Sequence, residues 1–229
     1  MPDLAELGQT LSVWLLPVVL AITFHEAAHG WVAEKLGDDT ARRLGRVTFN
    51  PVAHVDPFGT FFLPGFLVLV GSPFVFGWAK PVPVAFHRLR NPKRDMIWVA
   101  LAGPGINIAL ALAAGLLMQP VGQLEAGTFS LWVWENLKNA LQVNVVLAVF
   151  NMLPLLPLDG GRVLTGLLPV PLAVRYARFE PYGLLVLIGL AFIVPMIGQQ
   201  LGYDINPLAT ILPPVIEVVH GLVLTVTGW

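Results

Sequence analysis

The sequence predicts an all-α polytopic membrane protein, and three observations carry that prediction. Hydrophobic residues make up 56% of the 229 positions and charged residues only 12%, with a mean hydropathy of +0.74. Ordinary soluble domains carry about twice that charged fraction. The apolar residues fall into runs of the length that crosses a bilayer, about 20 residues each. All but Lys138 of the 13 Lys and Arg residues lie in three short stretches between those runs. The net charge of −1 points to no nucleic-acid partner, and with no cysteine present, disulfides and thiolate metal sites are excluded.

The first apolar run extends from about Leu7 to Ala33. It lacks a basic start and continues into His25 and Glu26, so it is expected to stay in the chain rather than be cleaved as a signal. A second run, Phe58 to Val75, is broken by Pro64, Gly65, Gly71 and Pro73. The third runs from about Met96 to Met118 and the fourth from Leu137 to Leu155, with Trp132 and Trp134 before it as interface anchors. The fifth covers Tyr182 to Ile197 and the sixth Leu208 to Val226.

Basic residues orient these runs. Lys35, Arg42, Arg43 and Arg46 follow the first. Lys80, Arg88, Arg90, Lys93 and Arg94 precede the third. Arg162, Arg175 and Arg178 follow the fourth. The positive-inside rule puts all three stretches in the cytoplasm. The second run then begins and ends on the same side, so residues 58–76 are expected to be re-entrant. "RVTFN" (46–50) has strand-like composition and suggests a small cytoplasmic-side β element. The expectation is one membrane-embedded domain over 1–229, with about five to six transmembrane helices. Its core spans about 7–165, and 182–227 form a candidate gate.

Chemistry concentrates in "ITFHEAAHGW" (22–31). His25 and His29 are four apart, so a helix stacks them on one face, one turn from each other, where both imidazoles reach one metal ion. Glu26 lies beside them, placed to hold a water. H-E-x-x-H is the zinc-protease spacing. Two interface histidines on a helix would explain the same five residues. Ionisable residues inside a membrane are costly, however, and three together call for a shared cation. A site of this kind needs a third protein ligand and an open fourth position. Asp159, in "FNMLPLLPLDGGR" (150–162), and Glu217 and His220 on the sixth run are the candidates. Depth favours Asp159, at the same membrane end as the two histidines. That requires the first and fourth runs to point the same way, with an odd number of crossings between them. The third run supplies one crossing, in agreement with a re-entrant second run.

HEAAH in a first span, with N-x-x-P-x-x-P-L-D-G-G in a later one, resembles the site-2 protease family of intramembrane zinc metalloproteases. "ALAGPGIN" (100–107) resembles that family's glycine-rich segment, and "FGWAKPVPV" (76–84) a stretch of its compact prokaryotic branch without a PDZ domain. The resemblance covers roughly residues 20–165. It implies one zinc ion per chain with His25, His29 and Asp159 as ligands and Glu26 as catalytic base. It implies that Asn151, and more weakly Asn107, position substrate or contact an oxyanion. Compact relatives carry an asparagine-containing turn near the place of "AFHRLRN", which leaves His87 without a carried-over role. The implied activity is hydrolysis of a peptide bond in or near a transmembrane segment of a membrane protein, near the cytoplasmic side. In a prokaryotic host the location is the plasma membrane.

The unwound substrate would pair with an exposed edge, offered by "RVTFN" or the re-entrant run. His54 is expected at the interface, and Glu217 and His220 to pair or to line a gate. A divalent-metal transporter using the same His and Asp residues is the alternative. It would show metal flux and only altered affinity on Glu26→Gln, and the sequence lacks the repeated halves common in transporters. An inactive relative would have no need of Glu26. Substrate identity and oligomeric state are not written in the sequence.

Overall fold

A computed structural model of the chain describes residues 4–69 and 77–229. All regular elements among them are helical: α1 (Leu4–Lys35), α2 (Thr40–Arg43), α3 (Leu63–Leu69), α4 (Pro92–Gly122), α5 (Thr128–Asn151), α6 (Asp159–Leu167), α7 (Val170–Ala177), α8 (Gly183–Ile188), α9 (Val194–Gln200) and α10 (Pro207–Thr227), with short 3₁₀ and π turns between them. Among the described residues, four stretches are long and apolar enough to cross a membrane: 8–35, 92–122, 170–200 and 207–227. The chain is therefore a multi-pass membrane protein. The fifth apolar run of the sequence is longer than expected, because α7 to α9 continue one another from Val170 to Gln200.

The fourth run forms α5, 24 residues long but outside those four stretches. Glu135, Lys138, Asn136, Asn139, Asn144 and Asn151 dilute its hydropathy. Two of these four asparagines bond across to other helices. Asn139 donates to the Val13 carbonyl at 3.0 Å and Asn144 bonds to Asn107 at 2.7 Å. Interhelical hydrogen bonds of this kind serve as glue where lipid removes the hydrophobic drive between helices.

Contacts between the helices define their directions. Val13 and Ser12 of α1 meet Asn139 and Trp132 of α5, while Ala21 meets Asn107 of α4, which bonds Asn144. His29, further along α1, meets Val99, earlier on α4. Thus α1 and α5 run the same way and α4 runs opposite to both, as depth matching of His25, His29 and Asp159 requires. The main core, Ala111, Ala114, Met118, Leu141, Val145, Val149 and Val223, joins α4, α5 and α10. A second cluster, Ala33, Leu89 and Val99, ties α1 to α4 and the loop before it.

The second apolar run begins as a π turn over Pro57–Phe62 and continues into α3, ending at Leu69. Its expected return limb, 70–76, lies outside the described residues. The expected β element does not form: no strand exists among the described residues, and 47–49 form bends. Its backbone groups are taken locally. Arg46 N–H donates to the Ala41 carbonyl at 2.9 Å, Asn50 N–H to the Thr48 hydroxyl at 3.1 Å, and the Thr48 carbonyl faces His54 Nε2 at 3.1 Å.

The start of α8 lies directly against the loop that leads to α6. A Cβ on Gly183 would sit 1.7 Å from the Leu156 carbonyl oxygen, which is main chain and cannot swing aside. Gly183→Ala is therefore expected to lower the thermal unfolding midpoint in detergent. Gly189→Ala, where a Cβ meets nothing within 4 Å, should leave it unchanged. Differential scanning fluorimetry on the pair checks this.

Candidate metal centre

Helix α1 places His25 and His29 one turn apart on the face that meets α4. Asp159, the first residue of α6, reaches the same point from beyond the end of α5. The three are largely buried. His25 Nε2 and His29 Nε2 are 3.1 Å apart, and Asp159 Oδ2 lies 3.3 Å from the first and 3.4 Å from the second. Tetrahedral coordination with bonds of 2.0–2.2 Å spaces its ligand atoms roughly 3.3 Å apart. The triangle matches that spacing on every edge.

The surrounding hydrogen bonds decide the histidine tautomers. His29 Nδ1 is 2.7 Å from the Val99 carbonyl, which can only accept. His25 Nδ1 is 2.6 Å from Asn107 Oδ1. The orientation of that amide is itself determined, because Asn107 Nδ2 donates to the Ala21 carbonyl at 3.2 Å and to Asn144 Oδ1 at 2.7 Å. Asn144 Nδ2 in turn donates to the Ala140 carbonyl at 2.8 Å. Both imidazoles therefore keep a proton on Nδ1, and each ring in its neutral form turns a bare Nε2 lone pair toward the other and toward a carboxylate oxygen. Asp159 Oδ2 is buried with no hydrogen-bond donor. Three donor atoms that converge in this way suit a divalent cation, and the imidazole and carboxylate donors suit zinc.

Helix α4 makes room for the cluster at Gly103. A Cβ there would lie 2.4 Å from His29 Nε2 and 2.6 Å from His25 Nε2. Those are the two ring atoms that face the third donor, so the missing side chain is part of the cradle.

Glu26 is half-buried beside the cluster, and its Oε2 accepts the Val82 main-chain N–H at 2.7 Å. Asn151, the last residue of α5, is half-buried and donates to the Leu147 carbonyl at 3.0 Å, one turn back. Its second amide N–H has no partner among the described residues. Asn107, expected to contact substrate, is fully buried and holds His25 instead. His54 is buried away from the donor triangle, and His87 is exposed on a short turn. Glu217 and His220 do not pair: no hydrogen bond or ion pair joins them among the described residues, and neither belongs to the metal-capable group. On α10, Glu217 is exposed and His220 half-buried.

Three participants escaped the sequence reading: the Val99 carbonyl, Asn144 and the Val82 N–H. Two are main-chain groups, which carry no sequence signal. Asn144 was visible as an amide in an apolar run without a stated role.

A test of the cradle follows. Gly103→Ala is expected to abolish stoichiometric zinc in the purified protein, while Gly105→Ala, whose Cβ would meet nothing within 4 Å, should retain it. Metal analysis by plasma mass spectrometry distinguishes them.

Comparison with known proteins agrees with this chemistry. The sequence model described as Peptidase family M50 matches residues 114–195, a range that contains Asn151 and Asp159. Curated relatives of the chain carry the name "Putative zinc metalloprotease". YwhC of Bacillus subtilis (strain 168) is 38% identical over 185 residues, covering 80% of this chain and 80% of the relative. Rip2 of Mycobacterium tuberculosis (strain ATCC 25618 / H37Rv) is 30% identical over 151 residues, covering 64% of this chain and 52% of the relative. No solved structure matches the chain. The chain belongs to peptidase family M50, the site-2 protease family, and is a zinc metalloprotease of the membrane.

Proposed function

We propose that His25, His29 and Asp159 hold one zinc ion per chain, that Glu26 is the catalytic base, and that the enzyme cuts a peptide bond within or near a transmembrane segment of a membrane protein. The observation that carries this reading is the triangle of buried His and Asp donor atoms set at tetrahedral spacing beside a carboxylate.

The chemistry that a zinc ion supplies at such a site is Lewis acidity toward a carbonyl and toward water. The remaining work falls to side chains of this protein. Glu26 uses the carboxylate oxygen left free by Val82 to take a proton from the attacking water and passes it to the leaving amine. Asn107 and the Val99 carbonyl keep each histidine in the tautomer that leaves Nε2 free. Asn151 offers its second amide N–H to the substrate carbonyl as charge develops there.

Sidedness follows from charge. His29 lies six residues before Lys35, the end of α1, which is about 9 Å along the helix axis. The basic residues beyond that end are read as cytoplasmic. The bond cut then lies near the cytoplasmic side of the bilayer, and in a prokaryotic host the bilayer is the plasma membrane. Water has a short path from that side.

Metal analysis of wild type, Asp159→Ala and Glu26→Gln tests the assignment without a known substrate. Zinc near one per chain is expected in wild type and in Glu26→Gln, with loss in Asp159→Ala. Cleavage of a membrane-helix substrate by Glu26→Gln is expected to fall by about 10²–10⁴-fold. Full zinc in Asp159→Ala would show the third ligand to be misassigned.

A further inference from the structure

The segment "KPVPVA" (80–85) is built to be straight and short of donors. Pro81 and Pro83 have no N–H, and each restricts the residue before it to an extended conformation. Its donors go to separate places. Lys80 N–H donates to the His54 carbonyl at 2.8 Å, Val82 N–H to Glu26 Oε2 at 2.7 Å, and Ala85 N–H to Asp38 Oδ2 at 2.6 Å.

The segment is anchored along its length. Asp38 is fully buried and is also bonded by the Thr40 amide and hydroxyl. Arg46 donates to the Lys80 carbonyl at 2.7 Å. On either side, Trp78 N–H reaches the Gly59 carbonyl and Arg90 N–H the Leu36 carbonyl, both at 3.0 Å. Val82 itself is buried against α1 at Gly30, where a Cβ would lie 3.1 Å from Val82 Cγ1.

We propose that this strap is a positioning element for catalysis: the Val82 main-chain N–H holds one oxygen of Glu26 so that the other faces the reacting water. The proposal rests on the reading of Glu26 as the base. The strap acts through Glu26 and touches no substrate. Its prolines remove the neighbouring donors that would compete for the carboxylate, and its anchors keep the remaining one in place.

Two measurements on the full-length protein in detergent test it. The first is amide hydrogen exchange by mass spectrometry. Because of the flanking prolines, Val82 carries the one exchangeable amide between Lys80 and Val84. Its exchange is expected to be slow in wild type, slow in Glu26→Gln, whose carboxamide oxygen still accepts, and fast in Glu26→Ala. Equal protection in wild type and Glu26→Ala overturns the proposal whatever the activity.

The second is cleavage of a dye-labelled single-span leucine–alanine helix with a glycine pair in its cytoplasmic half. Val82→Pro removes the N–H. It is expected to lower kcat by about tenfold or more, since small misplacements of a reacting group are costly, with KM and zinc content unchanged. Val82→Ala keeps the N–H and is expected to recover most of that loss. Equal losses in the two variants would assign the effect to side-chain packing and overturn the proposal. Faster cleavage by Val82→Pro would make the strap a block, and would overturn it too. Unimpaired cleavage by Glu26→Gln would instead sink the reading of Glu26 as the base, leaving the exchange result to judge the contact by itself.

Discussion

Three lone-pair donors cannot rest within 3.4 Å of one another in a membrane interior unless positive charge lies between them. The rest of the architecture is organised around that constraint. A pair of histidines on a helix can settle the matter by protonation or by rotation. Here α4 closes the second escape, so the positive charge must be supplied at the Nε2 atoms. The Val99 carbonyl and the Asn107 amide oxygen claim the Nδ1 protons and fix the ring planes, and Gly103 leaves the space in front of both Nε2 atoms open. The motif on α1 is therefore chemically incomplete until α4 packs against it. The amide chain from Asn144 through Asn107 to His25 extends that dependence to α5, so three helices must meet in register before the donor set exists.

The same requirement explains the unusual makeup of α5. A helix that crosses lipid alone would be uniformly apolar, whereas α5 carries buried asparagines at 136, 139 and 144. Two of them bond across to other helices, and their amides are satisfied by α1 and α4 rather than by water. That polarity lowers the hydropathy of α5 below that of its neighbours and fixes its position against them. By contrast, α10 carries few buried residues. Val223 and Thr227 near its C-terminal end are buried, and Trp229 beyond it donates to the Gly115 carbonyl at 3.0 Å. Its other half borders an apolar cavity of about 570 Å³ lined by residues including Leu101, Pro104, Met152, Ile211 and Val215.

Much of this was legible in the sequence because it is written in side chains at fixed spacing. The His25–His29 interval needs only a helix to become a shared face. Asp159 follows once depth is matched, and the direction of the helices that this demands is the direction observed. The helical class and the multi-pass character follow from composition alone. Other features resisted for identifiable reasons. The strand expected at 46–50 rested on residue type, but Asn50 and His54 draw its backbone into local bonds. Glu217 and His220 were read as pairing or lining a gate; three residues apart they are neighbours on α10, yet no hydrogen bond or ion pair joins them among the described residues. Asn107 was read by its likeness to substrate-contacting amides, and its complete burial gives it to His25.

The strap answers a geometric problem that the H-E-x-x-H spacing itself creates. At 100° per residue, Glu26 points 100° away from His25 and 60° from His29. Supports on α4 that hold both imidazoles are therefore on the wrong side of α1 to hold the carboxylate. Gly30, four residues after Glu26, shares its face, and it is there that Val82 packs. One close approach thus brings a main-chain donor to Glu26 and seats the strap in the notch left by a missing side chain. A side-chain donor could have done the same work, but at the cost of ordering a flexible group. A proline-bounded main-chain amide is nearly rigid before the contact is made, so little conformational freedom is lost in aiming the base.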